Sequence, residues 1–194
     1  MDVTEAIRTR RSVGAVKEQE VPRASIEKIL EAGIWAPNHR KTEPWRFFVL
    51  QGEGRNKLAS AMVDTEAAEK GIQPSPEQRE EMLASAIKKV SRAPLIIAVG
   101  CEPDLGPKII PLEETLAVGA AIQNMLLEAH ALGLGAVWRS GSLCYHPVMA
   151  QRFGLGEEGQ MLGFLYIGIP EREPGEAKRE PFASKTVWID QADE

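Results

Sequence analysis

Little in this chain marks a common enzyme by motif. Its 194 residues include two cysteines, Cys101 and Cys144, and three histidines. The cysteines stand far apart and match neither a zinc-ligand nor a redox spacing, so no metal partner is expected. They read as two reduced core thiols, in keeping with a reducing cytosol. No Gly-x-Gly-x-x-Gly follows a strand-like run, which leaves a Rossmann dinucleotide unit without its phosphate turn. P-loop, His-Glu-x-x-His and Gly-x-Ser-x-Gly patterns are missing as well. Positive charge is not in excess: the formal net charge is -5, which argues against a nucleic-acid partner. No apolar run is long enough to span a bilayer, and Met1-Asp2-Val3-Thr4-Glu5 is no start to a signal peptide. The expectation is a cytoplasmic, soluble protein without membrane association.

What is present is the makeup of one folded domain. Hydrophobic residues are 43% and charged residues 26%, ordinary for a globular protein of a size that buries a real core. No repeat or low-complexity tract divides it, so residues 1–194 are taken as a single domain. Asp2 and Glu5 have capping-box spacing for a short helix ending near Thr9. Pro22 suits a first helical position, and Ile26, Ile29, Leu30 and Ile34 mark one face of the helix it opens, ended by Ala36-Pro37. Residues 46–50 read as a strand, 54–69 and 77–91 as helices, and 95–99 as a strand buried on both faces. From about Glu113 to Leu132 runs a helix with little polar face, which needs cover on nearly every side and, in a chain this small, a second subunit to complete it. Gly133 and Gly135 end it. Strands over 136–140 and 161–167 and a short helix over 147–153 complete an α+β arrangement around one small sheet. The tail 171–194, charged and proline-containing, is expected to wrap over something, most simply a partner subunit.

Three blocks carry the chemistry: Arg10-Arg11-Ser12; Ala36-Pro37-Asn38-His39 running on to Pro44-Trp45-Arg46-Phe47-Phe48; and Trp138-Arg139-Ser140-Gly141. Guanidinium groups bind phosphate bidentately, and a neighbouring hydroxyl adds one bond. Adjacent arginines are often only solvated charges, but Arg10 and Arg11 follow a helix end and are joined by Ser12. Arg139 sits in a strand-like run where an unpaired charge is costly, so it needs an anionic partner, either a carboxylate of the chain or a ligand phosphate. Trp45 and Trp138 read equally well as core or interface. Capping explains His39 about as well as ligand binding does. His130 reads as a satisfied packing residue, and His146 carries no signal. With no acid–base or nucleophile constellation in view, catalytic residues are assigned to none of these, and a bound cofactor must carry any chemistry.

Together with Arg92-Ala93-Pro94-Leu95-Ile96-Ile97 and Gly163-Phe164-Leu165-Tyr166-Ile167-Gly168, these blocks resemble the FMN-dependent nitroreductase family in order and over nearly the whole length, closest to its short bacterial branch. The resemblance implies a nitroreductase-like α+β fold, a small central, mostly antiparallel sheet flanked by helices, in an intertwined homodimer with FMN at the interface. It implies that Arg10, Arg11 and Ser12 grip the FMN phosphate and ribityl chain, joined by Trp138, Arg139 and Ser140. Trp35 and His39 would reach the flavin of the other subunit, and Glu128 on the long helix is associated with NAD(P). The implied activity is ping-pong hydride transfer from NAD(P)H to FMN and on to a small-molecule acceptor: a nitroaromatic, a quinone or a similar compound. Many members carry Asn-x-Gln-Pro-Trp where this chain has Lys41-Thr42-Glu43-Pro44-Trp45. Those two changes motivate an alternative, a flavin carrier or redox sensor that is not a reductase. A phosphate-ligand domain without flavin ranks third.

Overall fold

A computed structural model describes residues 1–190; the last four residues of the tail expected to wrap a partner lie outside them. The helices are α1 (Val3–Thr9), α2 (Arg23–Ile34), α3 (Asn56–Glu69), α4 (Pro76–Val90), α5 (Pro111–Ala131), α6 (Ser142–Tyr145) and α7 (Pro147–Arg152). The strands are β1 (Trp45–Gln51), β2 (Leu95–Cys101), β3 (Gly135–Arg139) and β4 (Gln160–Gly168). They form one sheet in the order β1-β2-β4-β3, with every pair antiparallel. Among the described residues no helix is long and apolar enough to cross a membrane.

Local chemistry sets the element ends. Asp2 caps α1 by accepting from the Glu5 N–H at 2.8 Å. Ser75 and Gln78 form a reciprocal capping box at α4, with Pro76 at its first turn. At the end of α5, Gly133 takes φ +76° and lets Leu134 N–H return to the Ala129 carbonyl. Gly135 belongs to β3 rather than to the helix end. Pro22 is also shifted from expectation: it stands just before α2, its carbonyl accepting from Ser25 and Ile26. Ile34 is exposed, because α2 turns its Ile26 and Ile29 inward and ends there.

The sheet has two apolar faces. On one, Leu95, Ile97, Val99, Leu165 and Ile167 pack against Ile26 and Ile29 of α2 and Val118, Ile122 and Met125 of α5. On the other, Ile96, Ala98, Phe164 and Tyr166 meet α3, α4 and α7 through Leu58, Ala86, Val90, Met149 and Phe153. The alternation along β2 follows from the two-residue period of a strand. Burial of each large side chain contributes roughly 1.5–3 kcal/mol. Asp64 on α3 ties the second face together, pairing with Arg79 of α4 at 2.7 Å and with Arg152 of α7.

The expectation that α5 is apolar nearly all round holds, and one side of it is bare. Leu112 and Leu116 are 65% and 62% exposed, and Gly119 on the same side has open space beyond it.

A bulge in β4 governs the end of β3. Val99 faces Gly163 and Gly100 faces Met161, so Leu162 has no ladder partner. Its carbonyl accepts instead from the Trp138 indole Nε1 at 3.0 Å. The ring lies directly over Gly163, where an added Cβ would fall 1.9 Å from Nε1. Gly163→Ala therefore evicts the ring and orphans the carbonyl. Urea titration should show a loss of about 1–3 kcal/mol.

Both cysteines are free and buried. Burial pushes the Cys101 thiol up to about 11, with Glu114 and Glu102 adding to it, and the Cys144 thiol up to about 12, from an ordinary 9.0. Raised values mean that the folded state keeps protons which the unfolded state gives up. The stabilisation is whole below pH 9.0 and is lost as pH climbs toward 11 and 12. Alkaline destabilisation in urea should be smaller for the Cys101→Ala/Cys144→Ala double variant than for the parent.

Candidate functional site

Four arginines converge where α1 ends. The Arg10 N–H closes the last turn on the Ala6 carbonyl at 3.0 Å, and the chain then leaves the helix. Arg11 turns back, its Nη1 donating to the carbonyls of Arg8 at 2.7 Å and Arg10 at 2.8 Å. Arg179 of the tail approaches from outside, and a cavity of about 450 Å³ lined by Arg8, Arg10, Arg11 and Arg179 contains no carboxylate. Burial, then the charges of Arg11 and Arg179, presses the Arg10 guanidinium below its ordinary range. The same field reaches His130 at the end of α5. Its ring is bonded to Thr9 Oγ1 at 2.7 Å and held below the ordinary histidine range by burial and then by Arg10 and Arg11. The reading of His130 as a satisfied residue fits this bond.

Ser12 connects this cluster to the sheet. It forms a parallel bridge with Ala136, and the Val13 N–H donates to the Ala136 carbonyl at 2.9 Å. That seam runs beside β3 and brings the loop against Arg139, whose Nη2 would lie 3.5 Å from a Cβ at Gly14. The structure thus brings Arg11, Ser12 and Arg139 to one edge of the sheet.

Arg139 points onto the α3/α4/α7 face. Its guanidinium stacks on the Tyr166 ring at 5.0 Å. The carboxylate partner considered from sequence is not there: among the described residues Arg139 makes no ion pair, and its buried Nε has no hydrogen-bond partner. The Nε of Arg11 is buried and unpartnered too. Unmade bonds of this kind are costly, and a charged donor more so. Arg139 and Ser140 border a cavity of about 350 Å³, joined by Lys89, Arg92 and Ser142 over a floor that includes Met149, Phe164 and Tyr166. Here again no carboxylate faces the space. Burial holds the Tyr166 hydroxyl above its ordinary pKa, so it stays protonated.

Trp138 does not share this cavity. Successive strand residues face opposite ways, and its ring packs on the other side of the sheet over Gly163. Trp35 and Glu128 also lie apart, together lining a groove of about 570 Å³ between α2 and α5 with Glu27, Lys28 and Glu31. The Trp35 indole is 76% exposed and donates to Glu31 at 2.9 Å. His39 is at the other end of α5, its Nδ1 2.5 Å from Glu113. Within one chain, then, Trp35, His39 and Glu128 do not join the arginine cluster.

Lys89 and Arg179 escape a reading of the sequence, and Arg92 enters it only within the Arg92–Ile97 block, with no role at the site. Lys89 looks like a solvated charge in the last turn of a helix, Arg92 like a loop residue before Ala93-Pro94, and Arg179 like part of a charged tail. Only the tertiary structure unites them with the site, Lys89 and Arg92 beside Arg139 in one cavity and Arg179 beside Arg10 in another. His146 has a purely local task, its Nδ1 accepting the Val148 N–H at 3.2 Å to cap α7. No group of acidic, histidine or cysteine side chains among the described residues could hold a metal.

Known proteins resemble this chain in sequence and in fold. The Escherichia coli K12 protein named "Putative NAD(P)H nitroreductase YdjA" is 35% identical over 171 residues, 88% of this chain and 90% of its own length. A nitroreductase-like family protein from Bacillus cereus superposes with a TM-score of 0.82 at 30% identity, covering 98% of this chain and 97% of that one. A nitroreductase from Bacteroides fragilis, solved with bound FMN, superposes at 0.69 with 25% identity, over 98% of this chain and all (100%) of that one. The family model described as "Nitroreductase family" matches residues 7–169, from α1 through the end of β4, and the chain belongs to that family of oxidoreductases.

Proposed function

We propose that this protein is an FMN-dependent NAD(P)H oxidoreductase acting as a homodimer in the cytoplasm. The observation that carries the reading is the pair of buried, unpartnered guanidinium nitrogens, Arg11 Nε and Arg139 Nε, on two segments lashed together at the β3 edge. In a protein of net charge -5, cations that line two cavities free of carboxylates call for a bound anion, although Glu173 and Glu176 of the tail stand beside Arg11 and Ser12 in a neighbouring cleft. A phosphate with an attached aromatic body fits: Arg10, Arg11, Ser12 and Arg179 would hold the phosphate and ribityl chain. Arg139 and Ser140 continue that surface into the cavity, where the ring has an apolar floor and two further cations, Lys89 and Arg92.

When bound, FMN supplies two-electron chemistry, accepting hydride from NAD(P)H and passing it to a nitroaromatic, quinone or similar acceptor in alternating half-reactions. The protein's own residues position and polarise. The arginines would neutralise phosphate charge, and Lys89 and Arg92, lining the same cavity as Arg139, would lend positive charge to a flavin held there. Tyr166 stays protonated and stacked under Arg139, which fixes the guanidinium plane. Trp138 holds the β4 bulge and so the end of β3, serving the same surface from behind. Trp35 and His39 face outward and would meet the cofactor of a second subunit. The bare side of α5 and the exposed tail residues Phe182, Val187, Trp188 and Ile189 offer the apolar area for that subunit. Glu128, in the groove with Trp35, would accept from a ribose hydroxyl of NAD(P)H.

Purified protein should carry flavin absorption bands, and anaerobic NADH or NADPH should bleach them. Bands that persist would favour the flavin carrier or sensor, and a colourless protein that takes up no added FMN would remove the reading. Arg139→Ala should weaken FMN binding by about 2–5 kcal/mol in a fluorescence titration, the order seen on truncating a buried charged partner. Light scattering should give a dimer mass; a monomer would disconnect Trp35 and His39 from any flavin.

A further inference from the structure

The segment between α2 and β1 holds an unusual backbone. Arg40, Lys41 and Glu43 have φ of 59°, 56° and 49°. For residues with a Cβ this left-handed region is disfavoured, and such residues persist only where their surroundings over-determine them. The loop is tied at several points. Asn38 Oδ1 accepts the Glu43 N–H at 3.1 Å, and Arg40 Nε donates to the Lys108 carbonyl at 3.2 Å. The Pro44 carbonyl accepts from Glu102 N–H at 2.7 Å, which fixes the loop's exit into β1.

The deepest tie is to Glu114, only 1% exposed in the first turn of α5. One carboxylate oxygen accepts from Thr42 Oγ1 at 2.7 Å and the other from the Asp104 N–H at 3.2 Å. A buried carboxylate is costly, and these two donors, with the N-terminal end of the α5 dipole, make it tolerable. Its neighbour Glu113 binds His39 Nδ1 at 2.5 Å. A carboxylate can only accept, so Nδ1 carries the proton and Nε2 is the nitrogen left for another partner. Two successive glutamates on α5 thus fix one loop: one orients the imidazole, the other holds the backbone beneath it.

We propose that Glu114, acting through Thr42, is a positioning residue that locks the left-handed loop so that His39, aimed by Glu113, presents Nε2 to the flavin bound by a second copy of the chain. The inference rests on the flavin-dimer reading above. It explains why a strained loop and a buried carboxylate occur together: each would be a liability alone, and jointly they make a rigid wall. Lys41 and Glu43, the two departures from the family pattern, fall on this loop.

The test uses the full-length dimer and FMN. Thr42→Val removes the donor while leaving Glu114 its bond to Asp104. FMN affinity should fall about tenfold, the order expected for losing one hydrogen bond to a charged group, with the dimer mass unchanged. Thr42→Ser, which keeps the hydroxyl, should restore it. Adding Lys41→Gly to Thr42→Val should recover part of the affinity, because glycine takes positive φ without the clash. The His39 imidazole NMR signal should shift in Thr42→Val and return in Thr42→Ser. A purely structural bond would lower the melting temperature without this pattern of loss and rescue. FMN binding indifferent to Thr42→Val overturns the inference alone, whereas failure of the parent protein to bind FMN overturns the flavin reading and this inference with it.

Discussion

A sheet buried on both faces leaves polar chemistry nowhere to go but its edges and ends. β2 and β4 are apolar on either side, sealed by α2 and α5 below and by α3, α4 and α7 above. An unpaired charge in those strands would be ruinous. Arg139 escapes because β3 is an edge strand and Arg139 is its last residue. The arginine cluster, the cavity and the seam at Ser12 all follow from that one place where the sheet stops being covered.

The same constraint divides the labour of α5. Its middle is largely apolar where it seals the sheet, broken by Asn124, whose amide donates to the Ala32 carbonyl of α2 at 3.2 Å, and its other side-chain bonds lie toward its ends. At the N-terminal end Glu113 and Glu114 hold the loop that enters β1; at the C-terminal end His130 meets Thr9 beside Arg10. The helix thereby spans the distance between the cluster proposed to grip phosphate and the loop proposed to meet a second subunit. Its remaining apolar side, uncovered in one chain, is what makes a second copy a physical requirement of the proposal rather than an ornament.

Much of the fold is legible in the residues. The capping pattern at Asp2, the continuous apolar run of β2 and the little-polar character of α5 each state a local preference that the tertiary structure respects. The errors have physical causes. Pro22 stops one place short of its helix because its carbonyl is more useful as the first acceptor than its ring is inside. Gly135 reads as part of a helix end, yet Gly133 alone suffices for the left-handed turn. The four-residue α6 is too short for any periodicity to show. For the site, Arg11, Ser12, Arg139 and Ser140 can be grouped from sequence, but Trp138 cannot be separated from Arg139 without knowing which face of β3 is which. Lys89, Arg92 and Arg179 become neighbours of the site only through contacts distant in sequence. Glu114 is invisible because a glutamate in the first turn of a helix is, from sequence, simply a favourable charge near the dipole.

The seam at Ser12 has one more consequence. An edge strand is a template, its free N–H and C=O groups able to recruit another chain into an unwanted ladder. The short parallel bridge to Ala136, continued by Val16 alongside Pro170, covers that side of the sheet with the same residues proposed to grip phosphate. The segment following α1 therefore closes a sheet edge as well as carrying residues proposed to hold the ligand. Variation there is judged twice, once by what the cluster holds and once by whether the chain stays out of aggregates.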